Sequence, residues 1–209
     1  MQLYVNTRLD AINYVLSCIG LAPVDSEDDY NLDVAQAGGM VDKVSRTIQN
    51  NKGRGYWFNR EANHKLSPDP VTGNVLIPNN TLAVYRFDNF NRPAKIATRG
   101  RALYDTATHG FDMRGLVNSD GFVHLMLVTQ LEYGDLPQTA KDAIAAQAGM
   151  MFARSSEMEV NRIKVLAGEA EEAMWGLECE ETTQSQANAF KDSRSRAQFN
   201  FVVGGYNDI

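Results

Sequence analysis

The stretch Gly53-Arg54-Gly55-Tyr56-Trp57-Phe58-Asn59 constrains the fold of this chain more than any other. Two glycines allow a helix to end through a turn at positive φ. Three adjacent aromatics follow, and they carry more apolar surface than a solvated loop needs. Gly55, Tyr56, Trp57 and Phe58 are therefore expected to form a packed joint between a helical opening and a strand-rich middle.

The opening supports this. Thr7 with Asp10 is a hydroxyl cap with an acidic residue three positions on. Leu9, Ile12, Val15, Leu16 and Ile19 follow at helical spacing. Gly20 and Pro23 stop the pattern, so the spacing predicts a helix over 7–19. After the acidic link from Asp25, Asn31 or Asp33 can cap a second helix with the stripe Val34, Ala37, Val41, Val44 and Ile48, ending near 50–52. Gly38-Gly39 beside that stripe implies either a close helix–helix approach or a kink.

From Trp57 to about Leu131 the texture changes to short strands and turns. Residues 58–66, the buried run 75–77, Leu82–Phe87, 94–98, 102–105 and Phe122–Gln130 are strand candidates, the last being the strongest. Val123, Leu125, Leu127 and Thr129 share one face of it. Such strands with brief turns imply a mostly antiparallel sheet or a small barrel. Helical pattern returns after Pro137, over 138–154 and then about 157–177. Ala143, Ala145, Ala146, Ala148 and Gly149 suit close packing against another helix.

The fold class that results is α+β: a four-helix bundle with an inserted, mostly antiparallel β domain and an extended C-terminal arm. Its parts are 1–55, N-terminal helices; 56–136, β domain; 137–179, C-terminal helices; and 180–209, arm. The arm is polar until Phe199, Phe201, Val202, Val203 and Tyr206, an apolar tip suited to a neighbouring subunit.

A chain of 209 residues that is 44% hydrophobic and 22% charged falls in the ordinary globular class. No apolar run approaches the roughly 20 residues that a membrane span needs, and the start lacks a secretory signal pattern. A cytoplasmic origin is expected, with Cys18 as a small core hydrophobe and a disulfide to Cys179 disfavoured in a reducing compartment. The net charge of -6 argues against tight binding of nucleic acid but suits a wall that DNA passes without sticking.

No chemistry stands out. His64, His109 and His124 lack a second His or Cys at ligand spacing, nucleophile elbows are absent, and the paired glycines lack a phosphate-loop ending. No catalytic, cofactor or metal residue is assigned. Aspartates at turns read as caps, and a paired-carboxylate glycosidase would need two of them brought together. Arg99 and Arg101 are the compact basic spot of the middle region, either a charged turn or a contact to a partner or to DNA.

These pieces resemble the tail tubular protein A family, the adaptor or gatekeeper proteins of short-tailed phages. The resemblance rests on Ala11–Leu16 with Ile19-Gly20 and Pro23-Val24, on Arg46 and Gln49 late in the second helix, and on Gly55-Tyr56-Trp57-Phe58-Asn59. Tyr56 stands where the family most often has Trp, and Trp57 holds its variable place, so both rings are candidates for the family's core pocket. Arg99-Gly100 with Leu103-Tyr104-Asp105, and Leu131–Pro137, are similar to further family motifs. The resemblance spans roughly 1–180 and implies a structural, non-enzymatic subunit of a virion tail, assembled in the host cytoplasm. It implies a homo-oligomeric ring, dodecameric in relatives, between the portal protein and the tail nozzle (tail tubular protein B). Double-stranded DNA would pass through it, no membrane or cofactor would be involved, and the C-terminal arm would dock in the portal. Two other readings are a hydrolase of host-surface glycan, alone or added to the structural role, and an unrelated DNA- or protein-binding adaptor.

Overall fold

A computed structural model of the protein describes residues 5–27, 31–87 and 96–184. The opening helix, α1 (Arg8–Cys18), begins as the capping residues dictate. Thr7 Oγ1 accepts the Asp10 N–H at 3.1 Å, and Asp10 Oδ2 accepts the Thr7 N–H at 2.9 Å. The helix closes at the glycine its sequence marks as a cap. The Gly20 N–H lies on the Ser17 carbonyl and the Leu21 N–H on the Leu16 carbonyl, both at 3.1 Å. Next comes α2 (Leu32–Asn50), capped by Asn31 Oδ1 on the Asp33 N–H at 2.9 Å. Its expected stripe of Val34, Ala37, Val41, Val44 and Ile48 is buried. The helix runs unbroken through Gly38-Gly39, and a Cβ at Gly38 would stand 3.1 Å from Arg8 Nη2 and 3.5 Å from Ile12 Cδ1, so α1 lies close on that side.

Among the described residues five strands follow: β1 (Arg60–Leu66), β2 (Thr81–Arg86), β3 (Ile96–Arg99), β4 (Ala102–Asp105) and β5 (Val123–Thr129). They make an open arrangement and not a barrel. A three-stranded antiparallel sheet has the order β1-β5-β2, and β3 and β4 form a separate hairpin. The apolar run 75–77 is tied to β4 by isolated pairing, with the Leu103 N–H on the Val75 carbonyl at 3.0 Å. Val75, Ile77, Leu103, Met113, Val123, Leu125 and Leu127 enclose a small core of their own.

The chain then returns through α3 (Gln138–Ser155) and α4 (Val160–Gln184). Pro137 stands at the N-cap position of α3, with φ -63° and ψ 155°. These four helices share a core in which Leu177 of α4 lies among residues of α1, α2 and α3. Packing is centred on α3, which meets α1, α2 and α4, while α4 lies mainly against α3. Composition explains this. The buried side chains of α3 are mostly alanine and glycine, so neighbours can approach it on several sides. By contrast α4 buries only Leu166, Ala170 and Leu177 fully, a narrow stripe that lies mainly on α3 with Cys18 of α1 beside it. It also runs to Gln184, so Glu180–Gln184 belong to a helix where the sequence reading begins the arm.

Between the helices, close approach is tightest at Gly149 of α3, where a Cβ would lie 2.7 Å from Cys18 Sγ and 3.1 Å from Tyr14 Cε1. Gly149→Ala should therefore cost about 1–3 kcal/mol by overpacking. Adding Cys18→Ala should recover part of that loss, a coupling that denaturant melts of the four-member cycle would measure. The cysteines are unpaired, Cys18 buried and Cys179 exposed. Burial pushes the Cys18 thiol up to about 11. A native thiol assay near neutral pH should thus modify Cys179 quickly and Cys18 only on unfolding.

Candidate functional site: the joint between helices and strands

The segment 53–59 links the end of α2 to the start of β1, as its composition predicts, but the helix exit begins earlier. Asn51 and Lys52 already hold positive φ, 41° and 54°, ahead of Gly53 and Gly55. Gly55 then needs its missing side chain for two reasons. Its φ is 63°, a region that favours glycine. A Cβ there would sit 2.8 Å from both Asn59 Oδ1 and Val128 Cγ1. The chain is thereby pressed against the end of β5.

Two buried amides hold it there. Asn59 is 1% exposed, and its Oδ1 accepts the Tyr56 N–H at 2.7 Å. Its Nδ2 donates to the carbonyls of Gln49 and Thr129, each at 2.9 Å. Gln49, fully buried on α2, donates from Nε2 to Ser45 Oγ at 2.9 Å and to the Leu131 carbonyl at 3.0 Å. Its Oε1 accepts the Leu131 N–H at 2.8 Å. Backbone groups that neither a helix nor a strand ladder would satisfy are paired by this clamp. It joins α2, the turn and the exit of β5.

The aromatics divide unequally. Tyr56 is 1% exposed and stacks on Phe58 with centroids 5.6 Å apart, whereas Trp57 and Phe58 are half-buried around it. Tyr56, not Trp57, fills the core pocket. From the other side α4 reaches in with carboxylates. The Tyr56 hydroxyl donates to Glu178 Oε1 at 3.0 Å, the Trp57 N–H donates to Glu181 Oε2 at 2.8 Å, and Arg60 pairs with Glu181. Burial, and then the Glu178 carboxylate, raise the Tyr56 hydroxyl above the ordinary tyrosine range.

The other predicted residues lie elsewhere. Arg99 and Arg101 flank the tip of the β3–β4 hairpin, both exposed, with the Arg99 guanidinium 3.5 Å from the Tyr104 ring centroid. Phe199, Phe201, Val202, Val203 and Tyr206 lie outside the described residues. The histidines have local partners: His64 with Glu61 at 2.9 Å, His124 with Asp120 at 2.7 Å, and His109 with the Tyr104 hydroxyl at 3.5 Å. Asp69 and Asp112 accept nearby backbone N–H groups, as expected of turn aspartates. Among the described residues no group of three or more His, Cys, Asp or Glu could hold a metal ion.

Sequence reasoning singles out the ring-bearing residues and misses Glu178 and Glu181 as their partners. Their three-residue spacing on one helix face is the available signal. The burial of Gln49 carries none, because an amide next to an apolar stripe is ordinarily solvated.

The clamp pairs backbone groups of α2, the turn and the exit of β5, and so holds helices and strands in fixed relation within an α+β fold. A family model for tail tubular proteins matches residues 9–199, and the chain belongs to that family. No curated protein matches it. The family gives the chain a structural role in the virion tail of a phage. No helix among the described residues is long and apolar enough to cross a membrane.

Proposed function

We propose that this protein is a subunit of an adaptor ring, a dodecamer, that joins the portal protein to the tail nozzle and forms part of the DNA conduit. The family match over 9–199 carries the reading. The outer face of α4 supports it, since Trp175 is 70%, Val160 65% and Val165 54% exposed. An exposed tryptophan with two valines along the outer side of one helix suits a surface that neighbours cover. The net charge of -6 supports a channel wall that does not retain phosphate. In this reading the joint at Gly55–Phe58 fixes the angle between the helical body and the β unit. Arg99 and Arg101 present a hairpin tip to a partner or to passing DNA. The C-terminal segment with Phe199, Phe201, Val202, Val203 and Tyr206 docks in the portal. No residue is given a catalytic, cofactor or metal role.

Electron microscopy of the protein mixed with its portal tests this, and the expected image is a ring seated on the portal. A chain lacking 185–209 should keep its fold and fail to dock. Truncation from 180 should in addition loosen the joint, because Glu181 holds the Trp57 N–H and Glu180 accepts the Thr139 hydroxyl at 2.5 Å. Absence of a ring in mixtures with the portal would overturn the reading.

A further inference from the structure

Because α4 rests mainly on α3, open grooves flank that helix pair on opposite sides. The first, of about 800 Å³, lies between α1 and α4 and contains Asp142, Glu169 and Glu172 against one cation, Arg162. The second, of about 920 Å³, lies between α2 and α4 over an apolar floor that includes Met151 and Met174. Its charged side chains are Lys43, Arg46 and Lys52 against one carboxylate, Glu178. One flank is therefore acidic and the other basic.

These charges are largely uncommitted within the subunit. Among the described residues Lys43, Arg46 and Lys52, all exposed, make no ion pair with another side chain. Glu178 already accepts the Tyr56 hydroxyl. On the acidic flank, among the described residues, Glu169 accepts only a tyrosine hydroxyl, from Tyr14 at 3.1 Å, and Asp142 only the Gln138 amide at 2.7 Å. A chain that displays opposite charges on opposite sides is complementary to another copy of itself.

We propose that the basic α2–α4 flank of one copy seats against the acidic α1–α4 flank of the next. Two different patches that fit each other make a head-to-tail contact, which closes into a ring or continues as a filament. This deepens the ring reading above and rests on it, adding which faces meet and in what order. Charges at groove rims act through register and encounter rate, so the association is sensitive to salt.

Charge reversal tests it with two variants, Lys43→Glu with Arg46→Glu, and Glu169→Lys with Glu172→Lys. Circular dichroism melts of the Lys43/Arg46 variant should match the wild type, and those of the Glu169/Glu172 variant should fall only slightly, since all four side chains are exposed and Glu169 gives up the Tyr14 hydroxyl. In sedimentation at low salt the wild type should self-associate, and each variant alone should do so about tenfold more weakly or worse. An equimolar mixture of the two should recover association, because every contact then pairs an acidic flank with a basic one. About 1 M salt, where the Debye length is about 3 Å, should dissolve the complexes. Variants that associate like the wild type, or a mixture that fails to recover, would overturn the flank pairing. So would a wild type that stays monomeric, or one that retains DNA on Lys43 and Arg46 without associating. Each of these results leaves the ring on the portal to be judged by microscopy. A portal without a ring, beside intact flank pairing, would overturn the ring reading alone.

Discussion

Asn59→Ala is expected to remove about 3–5 kcal/mol of stability, since each buried group left without a partner costs about 1–3 kcal/mol. The substitution strands three of them: the Tyr56 N–H and the carbonyls of Gln49 and Thr129. Water cannot easily replace the amide, because Asn59 is 1% exposed and Gln49 fully buried beside it. For a chain of this size the melting temperature should fall by about 6–20 °C. Asn59→Asp makes the argument sharper. It keeps an acceptor for the Tyr56 N–H but points a carboxylate at two carbonyl oxygens, so it should be at least as damaging as alanine. Equal stability of the wild type and both variants in denaturant melts would remove the clamp from the joint.

The second large effect is at Tyr56. Tyr56→Ala should cost about 3–5 kcal/mol through the cavity left by a large buried ring. It removes the stacking partner of Phe58 and the hydroxyl that ties α4 to the turn. Trp57→Ala should cost clearly less, because that ring is half-buried and its main tie to α4 runs through its backbone N–H, which alanine retains. Tyr56→Phe separates packing from hydrogen bonding and should cost about 0.5–1.5 kcal/mol. Urea melts of the three variants should place Tyr56→Ala as the most damaging, ahead of both Trp57→Ala and Tyr56→Phe. A larger loss for Trp57→Ala than for Tyr56→Ala would return Trp57 to the pocket.

These two residues also mark where reading the sequence succeeds and stops. The three aromatics behind Gly55 signal a packed joint, and a joint is present. Their order gives no means of ranking Tyr56 against Trp57. That ranking comes from α4, whose Glu178 meets a residue 122 positions earlier. The family-like pair Gln49 and Asn59 is visible as polar residues near the joint, yet their burial is not. Polar side chains go inside only when the backbone groups awaiting them are brought together, and here those groups lie as far as 82 positions apart. The flank grooves are equally hidden. They exist because α4 covers one side of α3, and nothing in the pattern of either helix says so alone.

What the sequence determined by itself is local. Thr7 with Asp10, a cap at Asn31 or Asp33, Gly20 and the stripes of α1, α2 and β5 mark where those elements start, which face turns inward and how α1 ends. Each depends on interactions within about one or two turns or a strand's alternation. The tertiary structure decided what depends on distant partners: an open β arrangement, α4 laid along α3 and extended to Gln184, and Tyr56 as the buried ring. It also decided the amide clamp that locks helices to strands. Capping and periodicity are carried by neighbours in the chain, whereas burial and the satisfaction of buried polar groups are settled only when the chain folds.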